Sequence, residues 1–321
     1  CFLSDDDFHK SVHALQIFEN HRVIAVLEQL DDFLRFAQPH FHDEHTAAGE
    51  IFRRVLRDAA MHTIRNYIMA ESLEQAWELN QKGRNNIIIG GNLWLKMGRR
   101  NIINAIDLSS LGLDKIEEDE GGFRIGCMAT LHDIETHEGL NKEFQNLFKE
   151  AVRHIVGVQF RNCATIGGSI FPKLGFSDVL TAFLACDTQV ILYKKGEVPL
   201  REFIYIPTDN DILTHLYVKK DGRKTAYESF RMTETDFPTI TCAVAKTQDG
   251  FETVLGARPK HAEVVVDEVV ADAFSSEEVA DYAKRVIGKL QYGSNIRGSE
   301  QYRKQLSKVL IGRCISRLTE E

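Results

Sequence analysis

The sequence predicts an α+β protein with more than one domain, and three observations support this fold class. Apolar residues recur at roughly helical spacing through the first 60 residues. From residue 61 onwards, short apolar runs typical of strands alternate with helical patterns. Beyond residue 222, three strand patterns precede two long helical patterns. At 321 residues the chain is long enough for two or three domains with their own cores.

Composition excludes several classes of function. With 43% hydrophobic and 27% charged residues, the chain is typical of a soluble globular protein. A net charge of -8 leaves no excess of cations for binding nucleic acid. No apolar run is long enough to cross a bilayer, and the first residues lack the features of a signal peptide. We therefore expect a cytoplasmic protein that binds neither nucleic acid nor membrane.

The spacing of the cysteines indicates no cysteine-ligated metal site. They lie at positions 1, 127, 163, 186, 242 and 314, with no C-x-x-C pair among them. Such spacing suits neither a zinc site nor a cysteine-ligated iron–sulfur cluster. Reduced and mostly buried thiols are the simplest interpretation.

Residues 1–60 are predicted to form a small helical segment of unknown role. Helical patterns cover residues 8–36 and 47–60, with a turn at Pro39 between them. The segment is rich in histidine, including the run His40, His42 and His45. Imidazoles at this spacing can bind a transition metal, but solvated side chains on a polar helix face are the commoner case.

Residues 61–115 are predicted to form a first α/β subdomain. A helix over residues 72–79 begins at Ser72, which is a good N-cap, and Gln75 occupies the capping-box position. The predicted strands are 63–68, 86–89 and 102–108. None of them is followed by G-x-G-x-x-G, which disfavours a Rossmann site.

Residues 116–222 are predicted to form a second subdomain. Its strand at 123–130 leads into Thr130 and Asp133, which supply polar groups at a helix start. The further predicted helices are 140–148, 152–156 and 180–186, and the further strands are 188–193 and 211–218. A cluster of charge and glycine at 219–224 marks the domain boundary.

Residues 223–321 are predicted to form a C-terminal α+β domain. Three antiparallel strands are expected at 225–230, 239–246 and 250–255, with Asp249-Gly250 turning the second hairpin. A helix over 276–290 begins at Ser275 or Ser276, with Glu277 and Glu278 in its first turn. A last helix covers 300–318.

Two Gly-Gly pairs are the candidate ligand site. Gly90-Gly91 follows the apolar run 87–89, and Gly167-Gly168 follows Thr165. A glycine pair lets the backbone lie flat against a ligand with its N–H groups pointing outward, as suits a phosphate. Two such loops can close on one diphosphate from opposite sides. Either pair alone is more often just a tight turn.

Five stretches of the sequence have the order and spacing of motifs in a known family: 88–94, 161–169, Ser177-Asp178, 230–238 and 295–303. Together they resemble the flavin subunit of the molybdenum hydroxylases, the family of the xanthine dehydrogenase and carbon monoxide dehydrogenase medium subunits. The similarity covers about residues 61–321. The resemblance implies a two-subdomain FAD-binding fold of the PCMH type, plus a C-terminal α+β domain with a three-stranded antiparallel sheet.

The resemblance also implies roles for individual residues. Both glycine loops would hold the pyrophosphate of FAD through backbone N–H groups, while Asn92, Thr130 and Thr165 would bind phosphate or ribose. Asp178 would accept from a ribose or ribityl hydroxyl, and Ile88, Ile89 and Leu213 would contact adenine or the ring system. The full expected set is Ile88, Ile89, Gly90, Gly91, Asn92, Leu93, Trp94, Thr130, Ala164, Thr165, Gly167, Gly168, Ser169, Asp178, Leu213 and Arg231.

Some of these residues have simpler explanations or depart from the family pattern. Taken alone, Asp178 suits the N-cap of the helix that follows it, and Arg231 suits a surface ion pair. Trp94 is more often a core aromatic residue than a flavin contact. Leu93 and Ser169 replace residues that are usual in the family, so the contacts to the flavin ring are less well determined than those to the pyrophosphate.

The implied function is electron transfer. A molybdopterin-binding large subunit would oxidise its substrate, and a [2Fe–2S] small subunit would pass the electrons on. This chain would accept them on FAD and deliver them to NAD⁺ or another acceptor. Such a chain would work in a hetero-oligomer. Two alternatives remain: a structural subunit whose flavin site has decayed, and a stand-alone FAD-dependent reductase.

Overall fold

The computed structural model describes residues 63–319, except for Trp94, Lys96, Met97, Arg99, Thr208 and residues 268–274. The predicted helical segment at 1–60 and its histidines lie outside the described residues. Within the described part, three sheets follow one another along the chain. No helix of that part is both long and apolar enough to cross a membrane.

The first sheet is small and parallel. Its elements are β1 (Ile64–Met69), α1 (Leu73–Gln81), β2 (Asn86–Ile89) and β3 (Ile102–Asp107), with strand order β1-β3-β2. Ser72 caps α1 as predicted, because its side chain accepts from the backbone N–H of Gln75. The three predicted strands and the helix are all confirmed.

The second sheet has five antiparallel strands. They are β4 (Ile116–Glu118), β5 (Gly122–Gly126), β6 (Thr188–Leu192), β7 (Gly196–Pro199) and β8 (Leu213–Lys219), in the order β4-β5-β8-β6-β7. The prediction missed β4 and β7, the two edge strands. Both are short, and neither is apolar enough to give a strand pattern.

Seven short helices belong to this part of the chain. They are α2 (Leu131–Thr136), α3 (Glu138–Glu143), α4 (Leu147–Val152), α5 (Val158–Arg161), α6 (Ile166–Ile170), α7 (Asp178–Leu184) and α8 (Leu200–Phe203). The predicted single helix 140–148 is wrong, because Gln145 and Asn146 have φ angles of +46° and +62° and separate α3 from α4. The predicted helix 152–156 is also wrong, because the chain turns there and Val156 has φ +52°.

The third sheet forms the C-terminal domain with two helices. Its strands are β9 (Lys224–Phe230), β10 (Ile240–Thr247), β11 (Gly250–Gly256) and β12 (Glu263–Asp267), and the helices are α9 (Ser276–Gly288) and α10 (Glu300–Thr319). The sheet is antiparallel in the order β12-β11-β10-β9. The predicted three-stranded sheet is therefore wrong by one strand, the partly exposed edge strand β12.

Strand β10 explains how the C-terminal domain joins the rest. Ala243 belongs to the main core, which also contains Phe123 and Phe183. Its neighbour Val244 belongs to a second core under α9 and α10. Because successive side chains of a strand point to opposite faces, β10 is buried on both sides, and the sheet packs between the two cores.

Candidate functional site

The first glycine loop follows β2, an edge strand of the small sheet. Ile89 is 4% exposed and packs in a small cluster with side chains of β3, whereas Ile88 packs against the main core. The chain then turns through Gly90-Gly91 to Asn92, which has φ +57°. An asparagine tolerates this left-handed conformation better than most residues.

This loop keeps several polar groups unused. No described residue accepts a hydrogen bond from the backbone N–H groups of Gly90, Gly91 or Asn92. The side-chain Oδ1 atom of Asn92 is buried without a hydrogen-bond partner. Successive free N–H groups in such a turn make an anion-binding concavity. Leu93 is half-buried beside them, and Trp94 lies outside the described residues.

The second glycine pair lies inside a helix. Thr165 is the N-cap of α6, and its hydroxyl accepts from the N–H of Gly168 at 3.2 Å. The N–H of Gly167 donates to the carbonyl oxygen of Cys127 at 2.8 Å. The expectation that both N–H groups point outward is therefore wrong, because they already have acceptors within the protein.

The two loops contact each other closely. A Cβ atom built on Gly91 would lie 1.7 Å from the carbonyl oxygen of Cys163, and one on Gly90 would lie 2.4 Å from the Thr165 hydroxyl. Real side chains do not approach other atoms this closely, so only glycine permits the contact. The structure thus brings together the two loops that the sequence places about 75 residues apart.

Thr130 and Ala164 join the second loop to helix α2. The N–H of Leu131 donates to the carbonyl oxygen of Ala164 at 2.8 Å, and Thr130 pairs with Thr165 in an isolated β-bridge. The Thr130 hydroxyl caps α2 and donates to Asp133 Oδ2 at 2.7 Å. Thr130 therefore lies beside the loop, but its hydroxyl is already engaged.

Ser169 and Ser177 connect α6 to α7. The Ser177 hydroxyl donates to the carbonyl oxygen of Ser169 at 3.3 Å and accepts from the N–H of Leu180 at 3.0 Å. Ser177 is therefore the N-cap of α7, and the simpler explanation of Asp178 as that cap is wrong. Asp178 is instead the first residue of α7.

Asp178 and Arg231 form a buried ion pair. Arg231 Nη2 lies 2.7 Å from Asp178 Oδ2, and both side chains are 6% exposed. Tyr227 donates its hydroxyl to Asp178 Oδ1 at 2.5 Å. Burial raises the pKa of Asp178, while Arg231 and Tyr227 act against that rise. The interpretation of Arg231 as part of a surface ion pair is thus wrong, because the pair is buried.

Leu213 begins β8 and is 5% exposed within the main core. The carbonyl oxygen of its neighbour Thr214 accepts from the N–H of Cys127 at 2.8 Å, and Cys127 in turn contacts Gly167. The segment around Leu213 thus packs under α6.

Comparison with known proteins decides the family. The model of the FAD-binding domain in molybdopterin dehydrogenases matches residues 58–218, half of the chain. The chain belongs to this family. Its cofactor is FAD, and it is a subunit of an oxidoreductase of the molybdenum hydroxylase type.

This chain aligns over most of its length with chains of two dehydrogenases. It is 26% identical over 267 residues to the glyceraldehyde dehydrogenase medium chain of Sulfolobus acidocaldarius, covering 76% of this chain and 95% of that one. It is 24% identical over 282 residues to the 6-hydroxypseudooxynicotine dehydrogenase complex subunit alpha of Paenarthrobacter nicotinovorans, covering 78% and 93% respectively.

The fold is similar to that of a solved molybdenum enzyme. A chain of carbon monoxide dehydrogenase from Hydrogenophaga pseudoflava superposes with a TM-score of 0.72 at 22% identity, over 80% of this chain and 97% of that one. The predicted FAD-binding fold is therefore confirmed.

The residues of this FAD-binding domain fit the cofactor. FAD carries two linked phosphates and many hydroxyl groups, so it needs amide donors and a polar acceptor on a backbone that allows close approach. The first loop has three N–H groups without acceptors among the described residues and the unpaired Oδ1 of Asn92. These are the groups that a dinucleotide would use.

The sequence analysis did not predict three residues that hold parts of this site in place. Tyr227 binds Asp178, and the backbone of Cys163 contacts Gly91. Arg161 is 6% exposed, and its Nε and Nη2 atoms bind Glu135 at 2.7 and 3.0 Å. An arginine beginning the loop motif was visible, but its partner 26 residues away was not predictable from spacing.

Proposed function

We propose that this chain is the FAD-binding electron-transfer subunit of a molybdopterin-dependent hydroxylase or dehydrogenase complex. It takes electrons from a [2Fe–2S] small subunit and passes them to NAD⁺ or another acceptor, while a molybdopterin-binding large subunit oxidises the substrate. The observation that carries the proposal is the contact between two glycine loops, one with unused amide donors, in a chain of this family. Relatives named as a medium chain and as a complex subunit support a hetero-oligomer.

Bound FAD supplies the redox chemistry, and the protein supplies its position and electrostatic surroundings. We assign the pyrophosphate to the free N–H groups of Gly90, Gly91 and Asn92. Gly167 and Gly168 act differently, because they let the start of α6 pack closely within the protein. An added Cβ would lie 2.9 Å from the carbonyl oxygen of Cys127 at Gly167 and 3.1 Å from the Thr165 hydroxyl at Gly168. We keep both glycines, with Thr165, among the residues proposed for the FAD site. The remaining residues proposed for the FAD site are Ile88, Ile89, Leu93, Trp94, Thr130, Ala164, Ser169, Asp178, Leu213 and Arg231.

We also assign the domains by this function. Residues 61–222 bind FAD in two subdomains that divide near residue 115, and residues 223–321 form the C-terminal domain. The small parallel sheet and the five-stranded sheet lie within the first range, and the four-stranded sheet lies within the second. Residues 1–60 have no assigned role.

The direct test is to purify the chain with and without its native partner subunits. We expect a yellow protein that binds FAD in both cases. In the complete complex, oxidation of the substrate at the large subunit should reduce the FAD, and omission of the [2Fe–2S] subunit should stop this reduction. NAD⁺ should then reoxidise the FAD, with artificial acceptors measured in parallel.

The same experiment separates the alternatives. A complex assembled with Gly91→Ala should lose transfer to NAD⁺, because this variant cannot close its loops on FAD. It should still oxidise the substrate at the large subunit when an artificial acceptor takes the electrons from the molybdenum or [2Fe–2S] centre. A colourless wild-type chain that does not bind added FAD would indicate a structural subunit. Rapid NADH oxidation by the isolated chain, with no partner present, would indicate a stand-alone reductase.

A further inference from the structure

A buried polar cluster crosses from the FAD-binding domain, residues 61–222, into the C-terminal domain. Asp178 opens α7, while Tyr227 and Arg231 lie in and just after β9. The Asp178 carboxylate accepts from Tyr227 at 2.5 Å on Oδ1 and from Arg231 at 2.7 Å on Oδ2. Both of its oxygens are thus engaged by side chains of the protein.

Two of the three guanidinium nitrogens of Arg231 have partners within the protein, and the third has none. Its Nη1 atom donates to the Ser229 hydroxyl at 2.7 Å, and its Nη2 atom binds Asp178. Its Nε atom is buried and has no hydrogen-bond partner. A buried donor without a partner is costly, so this nitrogen is available to an acceptor that is not part of the chain.

The cluster lies next to the helix that carries the second glycine pair. Ser177, the residue before Asp178, donates its hydroxyl to the carbonyl oxygen of Ser169 in α6. Helix α6 has only five residues and begins at the contact with the first loop. The distance from one end of such a helix to the other is about 7.5 Å, which is within the span of a dinucleotide.

We propose that Asp178, with Tyr227, is the counter-ion that positions Arg231, and that Arg231 uses its unpartnered Nε–H to bind FAD and raise the reduction potential of FAD. This inference rests on the proposed function, because it concerns the same cofactor. It replaces the expected role of Asp178 as an acceptor for a ribose or ribityl hydroxyl. Asp178 is a positioning residue, since it acts on the cofactor through Arg231.

The electrostatics give opposite signs for the two partners. Reduction adds negative charge to the cofactor, so a neighbouring cation favours the reduced state and a neighbouring anion opposes it. Asp178→Asn removes the anion and leaves the cation, which should raise the potential. Arg231→Met removes the cation and should lower it.

The experiment measures FAD affinity and the reduction potential of bound FAD in the complete chain. We expect Asp178→Asn to favour reduced over oxidised FAD by about tenfold, which corresponds to about 30 mV for a two-electron couple. Arg231→Met should shift the potential in the opposite direction. Arg231→Lys keeps the charge but not the planar fork, so it should weaken FAD binding and leave the potential near that of the wild type.

A matched control comes from another buried arginine cluster at the same boundary. Arg223 Nη1 lies 3.0 Å from Glu252 Oε2, with side chains 6% and 13% exposed. Glu252→Gln removes a comparable buried charge away from the glycine loops. It should lower stability but leave the potential unchanged.

Three results would overturn the inference. If Asp178 bound a hydroxyl of the cofactor, Asp178→Asn would weaken the binding of oxidised and reduced FAD equally. If Asp178 had only a structural role, Asp178→Asn would lower stability and leave the potential unchanged, as Glu252→Gln should. Should Asp178→Asn not fold, an unchanged potential in Arg231→Met decides against the proposal. Wild-type protein that binds no FAD would instead contradict the proposed function itself.

Discussion

The α-carbon of Gly91 faces the carbonyl oxygen of Cys163 so closely that an added Cβ atom would lie 1.7 Å from that oxygen. This contact joins the loop after β2 to the loop before α6. The atom in the way is backbone, so it cannot move aside as a side chain would. The position of the two loops therefore depends on the absence of one methyl group.

Gly91→Ala should abolish FAD binding. The methyl group forces the loops apart and should cost about 3 kcal/mol of stability, at the upper end for overpacking. Gly288→Ala is the control, since Gly288 ends α9 and an added Cβ meets no atom within 4 Å. Flavin fluorescence titration and thermal melting measure both effects. Equal FAD affinity in the two variants would contradict the role given to the loop contact.

Asn92→Gly should weaken FAD binding by about tenfold, since a hydrogen bond of this kind contributes about 1 kcal/mol or slightly more. Glycine keeps the φ of +57° without strain, and it removes the buried Oδ1 that has no partner. The apoprotein should therefore melt no lower than the wild type. Asn92→Ala should lose the same affinity and also destabilise the apoprotein by about 1 kcal/mol, because alanine is strained in this conformation. Wild-type affinity in Asn92→Gly would exclude Asn92 from the site.

The pair Arg161–Glu135 should make stability depend on pH. Burial opposes ionisation of Glu135, but its hydrogen bonds from Arg161 and His132 prevail and lower its pKa below 4.5, the ordinary value. A lowered folded-state pKa means that the pair stabilises the protein above about pH 4.5 and that this contribution is lost as the pH falls further. Thermal melting across this range should show the loss, and Glu135→Gln should remove that part of the pH dependence.

Replacing only Arg161 should lower stability more than Glu135→Gln does. Arg161→Met leaves a buried carboxylate without its partner, which should cost about 3–5 kcal/mol. Arg161 also donates to the carbonyl oxygens of Arg153 and Ile155, so the turn before the second loop should loosen. We expect weaker FAD binding than in Glu135→Gln. A melting temperature equal to that of the wild type would contradict this role.

Cys163 should be the first of the five described cysteines to react with a thiol reagent. It is exposed, whereas Cys127, Cys186, Cys242 and Cys314 are buried. Burial raises the pKa of Cys127 to about 12, so that thiol holds almost no reactive thiolate at neutral pH. FAD should slow the labelling of Cys163, since this residue lies at the contact of the glycine loops. Labelling is best measured on a Cys1→Ser background, with Cys163→Ser as control, and an unchanged rate in saturating FAD would contradict the placement.

The elements predicted correctly share a strong local signal. Strands β2 and β10 are apolar and bounded by glycine, proline or charge, and Ser72 and Ser275 each cap a helix as predicted. The missed elements lack such signals. Helix α6 contains two adjacent glycines, which disfavour a helix locally, and it forms because Ile166 and Ile170 are both fully buried on one face.

The sequence by itself determined the order of the elements, the two glycine pairs and, through the resemblance, the family and its cofactor. Only the tertiary structure decided what each pair does. In Gly167-Gly168 the N–H groups find acceptors within the protein, at Cys127 and Thr165, whereas those of Gly90-Gly91 find none among the described residues. The tertiary structure also decided that Asp178 pairs with Arg231, which lies 53 residues further along the chain. These contacts join groups that are far apart in the sequence and close together only in the folded protein. A local pattern of residues therefore does not predict them.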